Sequence, residues 1–120
     1  MQVMAATAIT GEIESQERRD DAVRAIRLAG GPVVELDPTY YKRDNRYRVT
    51  HLTLRWNRGR LIRAEVSGPV LRRDGSDGRR QHNDSWFNSQ RTGDWSTRLP
   101  SWVMALIDTF GVVPTWEETA

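Results

Sequence analysis

Residues 47–70 read YRVTHLTLRWNRGRLIRAEVSGPV. Apolar and polar side chains alternate from Tyr47 to Trp56 and again from Arg60 to Val70, the period of a half-buried strand. Between the two runs, Asn57-Arg58-Gly59 reads as a three-residue hairpin loop with glycine at the left-handed position. That loop predicts a register in which Trp56 faces Arg60, Leu54 faces Ile62 and Leu52 faces Ala64, so turn chemistry and hydrophobic pattern select the same pairing. On the opposite face Thr53 is expected to meet Arg63 and His51 to meet Glu65, with Arg55 beside them. One face is core, and the other, polar and mostly basic, meets water or a ligand.

Downstream, Gly68-Pro69 marks a bulge or an edge position, because proline cannot donate to a strand ladder. Val70 to Arg73 then enter Asp74-Gly75-Ser76-Asp77-Gly78, a turn rich in residues that tolerate unusual dihedrals. A second hairpin follows, with a return strand near 79–87 packing through Trp86 and Phe87, and then a polar loop, 88–98, that carries Trp95. Pro100-Ser101 opens a helix in which Val103, Leu106, Ile107 and Phe110 share one face, flanked by Trp102 and closed by Gly111 and Pro114. A lone hairpin is marginal in water, so this helix is expected to cover Leu52, Leu54, Ile62, Ala64 and Val66.

Upstream the signals are weaker. Residues 39–46 read as a loop or weak hairpin and Pro32 to Leu36 as an edge strand. Ala22, Ala25, Ile26 and Ala29 fall at helical spacing, with Ser15 as a cap and Gly30-Gly31 as a stop. They predict an N-terminal surface helix. Residues 1–11 and 115–120 are expected to be loose, around a core spanning 47–114. The expected fold is therefore α+β: an antiparallel sheet of three to four strands, a C-terminal helix over it and an additional N-terminal helix.

The run from Val49 to Pro114 resembles small proteins of unassigned function encoded by actinobacteria and their phages. The residues that carry the likeness are Gly68, Arg73-Asp74-Gly75, Gly78, Trp86-Phe87, Pro100-Ser101-Trp102-Val103, Leu106-Ile107 and Pro114. The resemblance implies the order hairpin, Asp-Gly turn, aromatic strand and terminal helix. It implies no activity or site, and the segment before Pro32 departs from it.

At 120 residues and 38% hydrophobic content, the chain suffices for one core and one domain, 1–120. With no cysteine, disulfides, thiolate metal ligands and thiol nucleophiles are excluded. The longest apolar run falls short of the roughly 20 residues a membrane helix needs, and no leader pattern opens the chain. A cytoplasmic protein without a membrane partner is expected.

Charge is distributed in blocks. Residues 1–37 hold four basic groups against seven acidic ones, residues 38–100 fourteen against six, and residues 101–120 none against three. A basic centre between acidic ends points to an anionic partner. Seventeen arginines to one lysine also arises from codon usage in a GC-rich genome, without selection for phosphate contacts.

Few residues suit catalysis. His51 and His82 are the only histidines, and a Ser-His-acid set requires one; His51 reads as half of an ordinary cross-strand pair with Glu65. His82-Asn83-Asp84 is similar to nuclease motifs that set His beside Asn, yet the second histidine and remaining metal ligands are missing. Asp74, Ser76 and Asp77 miss the calcium-loop spacing by one, lack its glutamate and sit among arginines that repel a cation. Lys42, the sole lysine, follows no glycine-rich phosphate loop. No enzymatic activity, cofactor, metal or small-molecule substrate is expected.

Nucleic acid is the class with positive support. Arg72-Arg73 and Arg79-Arg80 flank one turn, Arg55 and Arg63 lie on strands and Arg58 sits at a hairpin tip. Guanidinium groups fork onto phosphate. Tyr40, Tyr41, Tyr47, Trp86 and Trp95 lie in the same block and are candidates for stacking on bases, unless they belong to the core. The sequence thus reads as a non-enzymatic module binding nucleic acid through Arg55, Arg58, Arg63, Arg72, Arg73, Arg79 and Arg80. The alternative is a protein-interaction factor docking on an acidic partner, since Arg, Trp and Tyr are equally the residues of interface hot spots.

Overall fold

The computed structural model describes residues 9–16, 21–36, 46–88, 95 and 99–111. Within them the chain forms β1 (Thr10–Gln16), β2 (Asp21–Ala29), β3 (Val33–Glu35), β4 (Arg46–Arg48), β5 (His51–Asn57), β6 (Arg60–Leu71), β7 (Asp77–Phe87) and α1 (Ser101–Phe110). The strands make one antiparallel seven-stranded sheet in the order β1-β2-β5-β6-β4-β3, with β7 on the other side of β6. The fold is thus mostly β with a single described helix, not the α+β arrangement of three to four strands and two helices expected above.

The largest correction concerns the segment read as an N-terminal helix. Residues 21–29 are a strand, paired to β1 on one side and β5 on the other. Its buried residues are Ala22, Arg24, Ile26 and Leu28, a period of two, while Ala25 is half-buried and Ala29 exposed. Alanine fits either period, and an arginine in the inward row disguised the alternation. Arg24 is nonetheless 9% exposed. Its guanidinium lies 4.8 Å over the Trp56 ring, and Nη1 donates to the Phe110 carbonyl at 2.8 Å. It therefore ties the inner face of β2 to the last turn of α1, where unpaired carbonyls favour a cation. Burial depresses its pKa below the usual guanidinium value. Thr10 and Gly11, expected to be loose, belong to β1.

The hairpin of β5 and β6 forms, with its register displaced by two from the sequence expectation. Asn57 pairs with Arg60, so the turn holds two residues, Arg58 and Gly59. Both have positive φ (54° and 78°), as a type I′ hairpin turn demands. Trp56 then faces Leu61 and Arg55 faces Arg63, leaving Ile62 as the extra residue of a bulge. Turn and bulge each displace the pairing by one. Leu54 therefore meets Ala64, Leu52 meets Val66, Thr53 meets Glu65 and His51 meets Ser67, and the core face keeps its parity while Ile62 leaves it.

β6 runs unbroken through Gly68-Pro69. Its first part pairs with β5, its Val70 with Tyr47 on β4, and its other edge with β7. A Cβ on Gly68 would overlap the Arg48 carbonyl oxygen, and one on Gly31 the Val49 carbonyl oxygen. The chain between β4 and β5 is thus threaded between two glycines. Val49 donates to the Pro32 carbonyl (2.9 Å) and Thr50 to that of Ser67 (2.9 Å), while the Thr50 carbonyl accepts from Leu28 (2.7 Å).

α1 lies on the inner face. Val103 and Leu106 are buried in one cluster with Ile26, Leu52, Leu54, Trp56, Ala64, Val66 and Trp86, and the Trp102 ring meets that of Trp86 edge-on at 5.9 Å. No described helix is long and apolar enough to cross a membrane. The expected loops over 39–46 and 88–98 and the tail 115–120 lie almost wholly outside the described residues.

The strand reading of 21–29 separates two substitutions that a helix would rank the other way. Leu28→Ala, off the helical stripe but inward on the strand, should cost about 2–4 kcal/mol, whereas Ala25→Ser should stay within about 0.5 kcal/mol. Urea unfolding of both variants checks the order.

Candidate functional site

The seven candidate arginines do not converge. Arg55, Arg58 and Arg63 belong to the β5–β6 hairpin at one end of β6, and Arg72, Arg73, Arg79 and Arg80 to the β6–β7 hairpin at the other. The 12 residues of β6, at about 3.3 Å each, place those ends up to about 35 Å apart.

At the first end, Arg55 and Arg63 are direct cross-strand partners. Arg63 is committed locally: its Nη2 is 3.6 Å from Glu65 Oε1, and its guanidinium lies 4.9 Å over the half-exposed Phe87 ring. Arg58 is exposed at the turn. This outer sheet face continues through Thr53 and Ser85 to His51, Ser67 and Asn83. The expected His51–Glu65 pair does not form; His51 Nε2 is instead 3.6 Å from Glu14 Oε1, and Nδ1 is 2.9 Å from the Thr50 hydroxyl.

The second end gathers charge. Arg72, Arg79 and Arg80, with Val70 and Gly78, line a hollow of about 350 Å³, and Arg73 is exposed on the adjoining turn. Two further arginines come in from β4: Arg46, in a stretch that reads as a loop, and Arg48, which reads as part of one continuous strand to Trp56 rather than of a separate β4 against the end of β6. Arg46 Nη2 donates to the Arg72 carbonyl at 3.4 Å, and Arg48 Nε lies 3.4 Å from Asp77 Oδ1. Six guanidinium groups thus surround the turn, where the carboxylates of Asp74 and Asp77 lie, with Glu35 across from Arg46 on β3 and Glu65 and Asp84 farther along the hairpin.

Both aspartates are engaged. Asp74 Oδ1 accepts from the Ser76 backbone N–H (2.9 Å) and hydroxyl (2.6 Å), and the turn closes through Gly75 N–H to the Arg72 carbonyl and Arg72 N–H to the Ser76 carbonyl. The Ser76 hydroxyl, its backbone N–H and the nearby Arg72 hold the Asp74 carboxyl below the usual carboxylate range. Asp74, bonded to Ser76, shapes the turn, and Arg72 Nη1 donates to the Ser76 hydroxyl at 3.4 Å. No family model matches the chain, and no curated protein or solved structure matches it. The interface is therefore argued from its own residues.

The candidate stacking residues go to the core. Tyr47 is 1% exposed and Trp86 6%; Trp95 packs against the same cluster. Tyr40 and Tyr41 lie outside the described residues. Tyr47 stands against His82 with ring centroids 4.6 Å apart, which places His82 beside an aromatic ring on the inner face. Among the described residues, no three His, Asp or Glu side chains group to hold a metal, and Asp74 and Asp77 are turned to Ser76 and Arg48.

Burial, and secondarily the charge of Asp84, pushes the Tyr47 phenol above its ordinary value of 10, and its hydroxyl has no hydrogen-bond partner among the described residues. Because the folded value is raised, its contribution to stability is complete below pH 10 and is lost as the pH climbs towards the folded value. Alkaline difference absorbance should show one tyrosine ionising only with unfolding, and Tyr47→Phe should remove that step. At pH 7 the same variant should keep wild-type stability within about 0.5 kcal/mol, since it deletes a buried, unpartnered hydroxyl.

Proposed function

We propose that the protein is a non-enzymatic module that binds nucleic acid through the phosphate backbone, using the β6–β7 hairpin. The observation that carries the reading is the hollow of about 350 Å³ lined by Arg72, Arg79 and Arg80, with Arg73 exposed on the adjoining turn and Asp74 and Asp77 occupied by Ser76 and Arg48. Guanidinium groups bind phosphate bidentately and stay charged at any physiological pH. The hollow is small and bordered by cations on both strands, which suits single phosphate groups along a chain better than a base. Such binding is dominated by backbone charge and is only weakly specific for sequence.

Arg55, Arg58 and Arg63 do not belong to this surface. Arg63 serves Glu65 and Phe87, so the reading rests on four of the seven arginines picked out in the sequence, joined by Arg46 and Arg48. A cytoplasmic setting goes with it, because nucleic acid is there.

Fluorescence anisotropy with a labelled oligonucleotide should show affinity falling steeply with salt as counterions are released. Replacing Arg72, Arg73, Arg79 and Arg80 by glutamine should weaken binding at least tenfold and flatten the log–log salt slope by up to about 3.6, at roughly 0.9 for each phosphate no longer neutralised. Arg58→Gln, at the far end of β6, should change affinity less than twofold. A quadruple variant that binds like the wild type would overturn the reading.

A further inference from the structure

Resting on that reading, the structure also narrows the form of the ligand. Proteins that hold single strands combine a basic groove with open aromatic rings on which bases stack. The hairpin surface has the first without the second. Tyr47, Trp56 and Trp86 are 1%, 1% and 6% exposed, Trp102 packs edge-on against Trp86, and Trp95 and Phe110 are held against the core. Phe87 is 50% exposed, but it sits at the opposite end of β7 from the turn and already carries Arg63 on its face. The described Phe, Tyr and Trp rings are therefore withdrawn from the arginine-lined hollow, and the His82 ring is turned against Tyr47.

The backbone that carries the cations, in contrast, is held. Arg72 and Arg73 leave the end of β6 and Arg79 and Arg80 lie on β7, two strands about 4.8 Å apart, and the turn between them is tied by Asp74 and by two backbone hydrogen bonds. Cations grouped on one short hairpin gain most from a ligand whose charges are themselves fixed and dense. A duplex presents one phosphate per about 1.7 Å of axis, and a flexible strand must be ordered before it presents a comparable row. We propose that the β6–β7 hairpin binds double-stranded nucleic acid in preference to single strands, through phosphate contacts alone.

The test compares a 20-base-pair DNA duplex, an RNA duplex of the same length and each of their separated strands by anisotropy at one salt concentration. The expected result is a Kd for at least one duplex tenfold or more below that of its own strands, unchanged when the sequence is scrambled. Tyr40, Tyr41 and Trp116 are the tyrosine and tryptophan rings outside the described residues, so a Tyr40→Ala, Tyr41→Ala, Trp116→Ala triple variant accompanies the wild type and should keep the same preference. Single strands that bind as tightly as the duplexes, or single-strand binding that collapses in the triple variant, would overturn the duplex inference and leave phosphate binding standing. Failure of every probe to bind would overturn the underlying reading as well.

Discussion

The sheet is organised around a close approach of backbone to backbone. The carbonyl of Arg48 fits against Gly68, and that of Val49 against Gly31, at positions where any Cβ would overlap the oxygen. Between these contacts the chain passes from β4 to β5 while both remain neighbours of β6, and three backbone hydrogen bonds to the Ser67 and Pro32 carbonyls and from Leu28 hold the crossing. Because of it, one strand serves as partner to three others. β5 uses the first part of β6 and β4 the last, with β7 along the opposite edge. The arrangement sends the β5–β6 turn and the β6–β7 turn to opposite ends of the molecule, and it brings Arg46 and Arg48 alongside the second.

The inner face follows from the same geometry. Leu52, Leu54 and Trp56 on β5, Ala64 and Val66 on β6, and Ile26 and Leu28 on β2 make a continuous apolar surface, which α1 covers with Val103 and Leu106. The helix is anchored at two places. Trp102 meets Trp86 on β7, and the Phe110 carbonyl receives Arg24 from β2. Pro100 offers no side-chain cap, so the arginine at the opposite terminus is the polar tie. An ionised group in the interior is expensive unless satisfied, and Arg24 meets that condition through the helix carbonyl and the face of Trp56. Tyr47, Trp56 and Trp86 are taken up in this packing, while Phe87, half-exposed, lies at the end of β7 away from the basic turn.

How much of this was legible in the sequence depends on whether a signal was local. A hairpin turn ending at Gly59, the strands on either side of it, the Asp74–Ser76 turn and the apolar face of α1 all announce themselves within a few residues, and each is present. The register of β5 on β6 was not readable, because Asn57 looks like part of the loop when it pairs with Arg60, and Ile62 looks like one more inward residue until the bulge expels it. β2 was missed for a different reason. Ala22, Ala25 and Ala29 satisfy a helical period, and the strand period depends on Arg24 facing inward, where it meets the Trp56 ring and a helix carbonyl 86 positions away in the chain. The site fared similarly. The arginine pairs around the 72–80 turn were visible as a unit, whereas the separation of Arg55, Arg58 and Arg63 from them, and the arrival of Arg46 and Arg48, are consequences of topology.

The most direct test of the account is the stability of Gly68→Ala. If β6 can serve β4, β5 and β7 only because the Arg48 carbonyl occupies the place of a side chain at residue 68, then one added methyl group must displace backbone rather than a flexible side chain. Urea unfolding should then show a loss of more than about 4 kcal/mol, or no cooperative transition at all. A Gly68→Ala variant with the wild-type midpoint and slope would contradict the account.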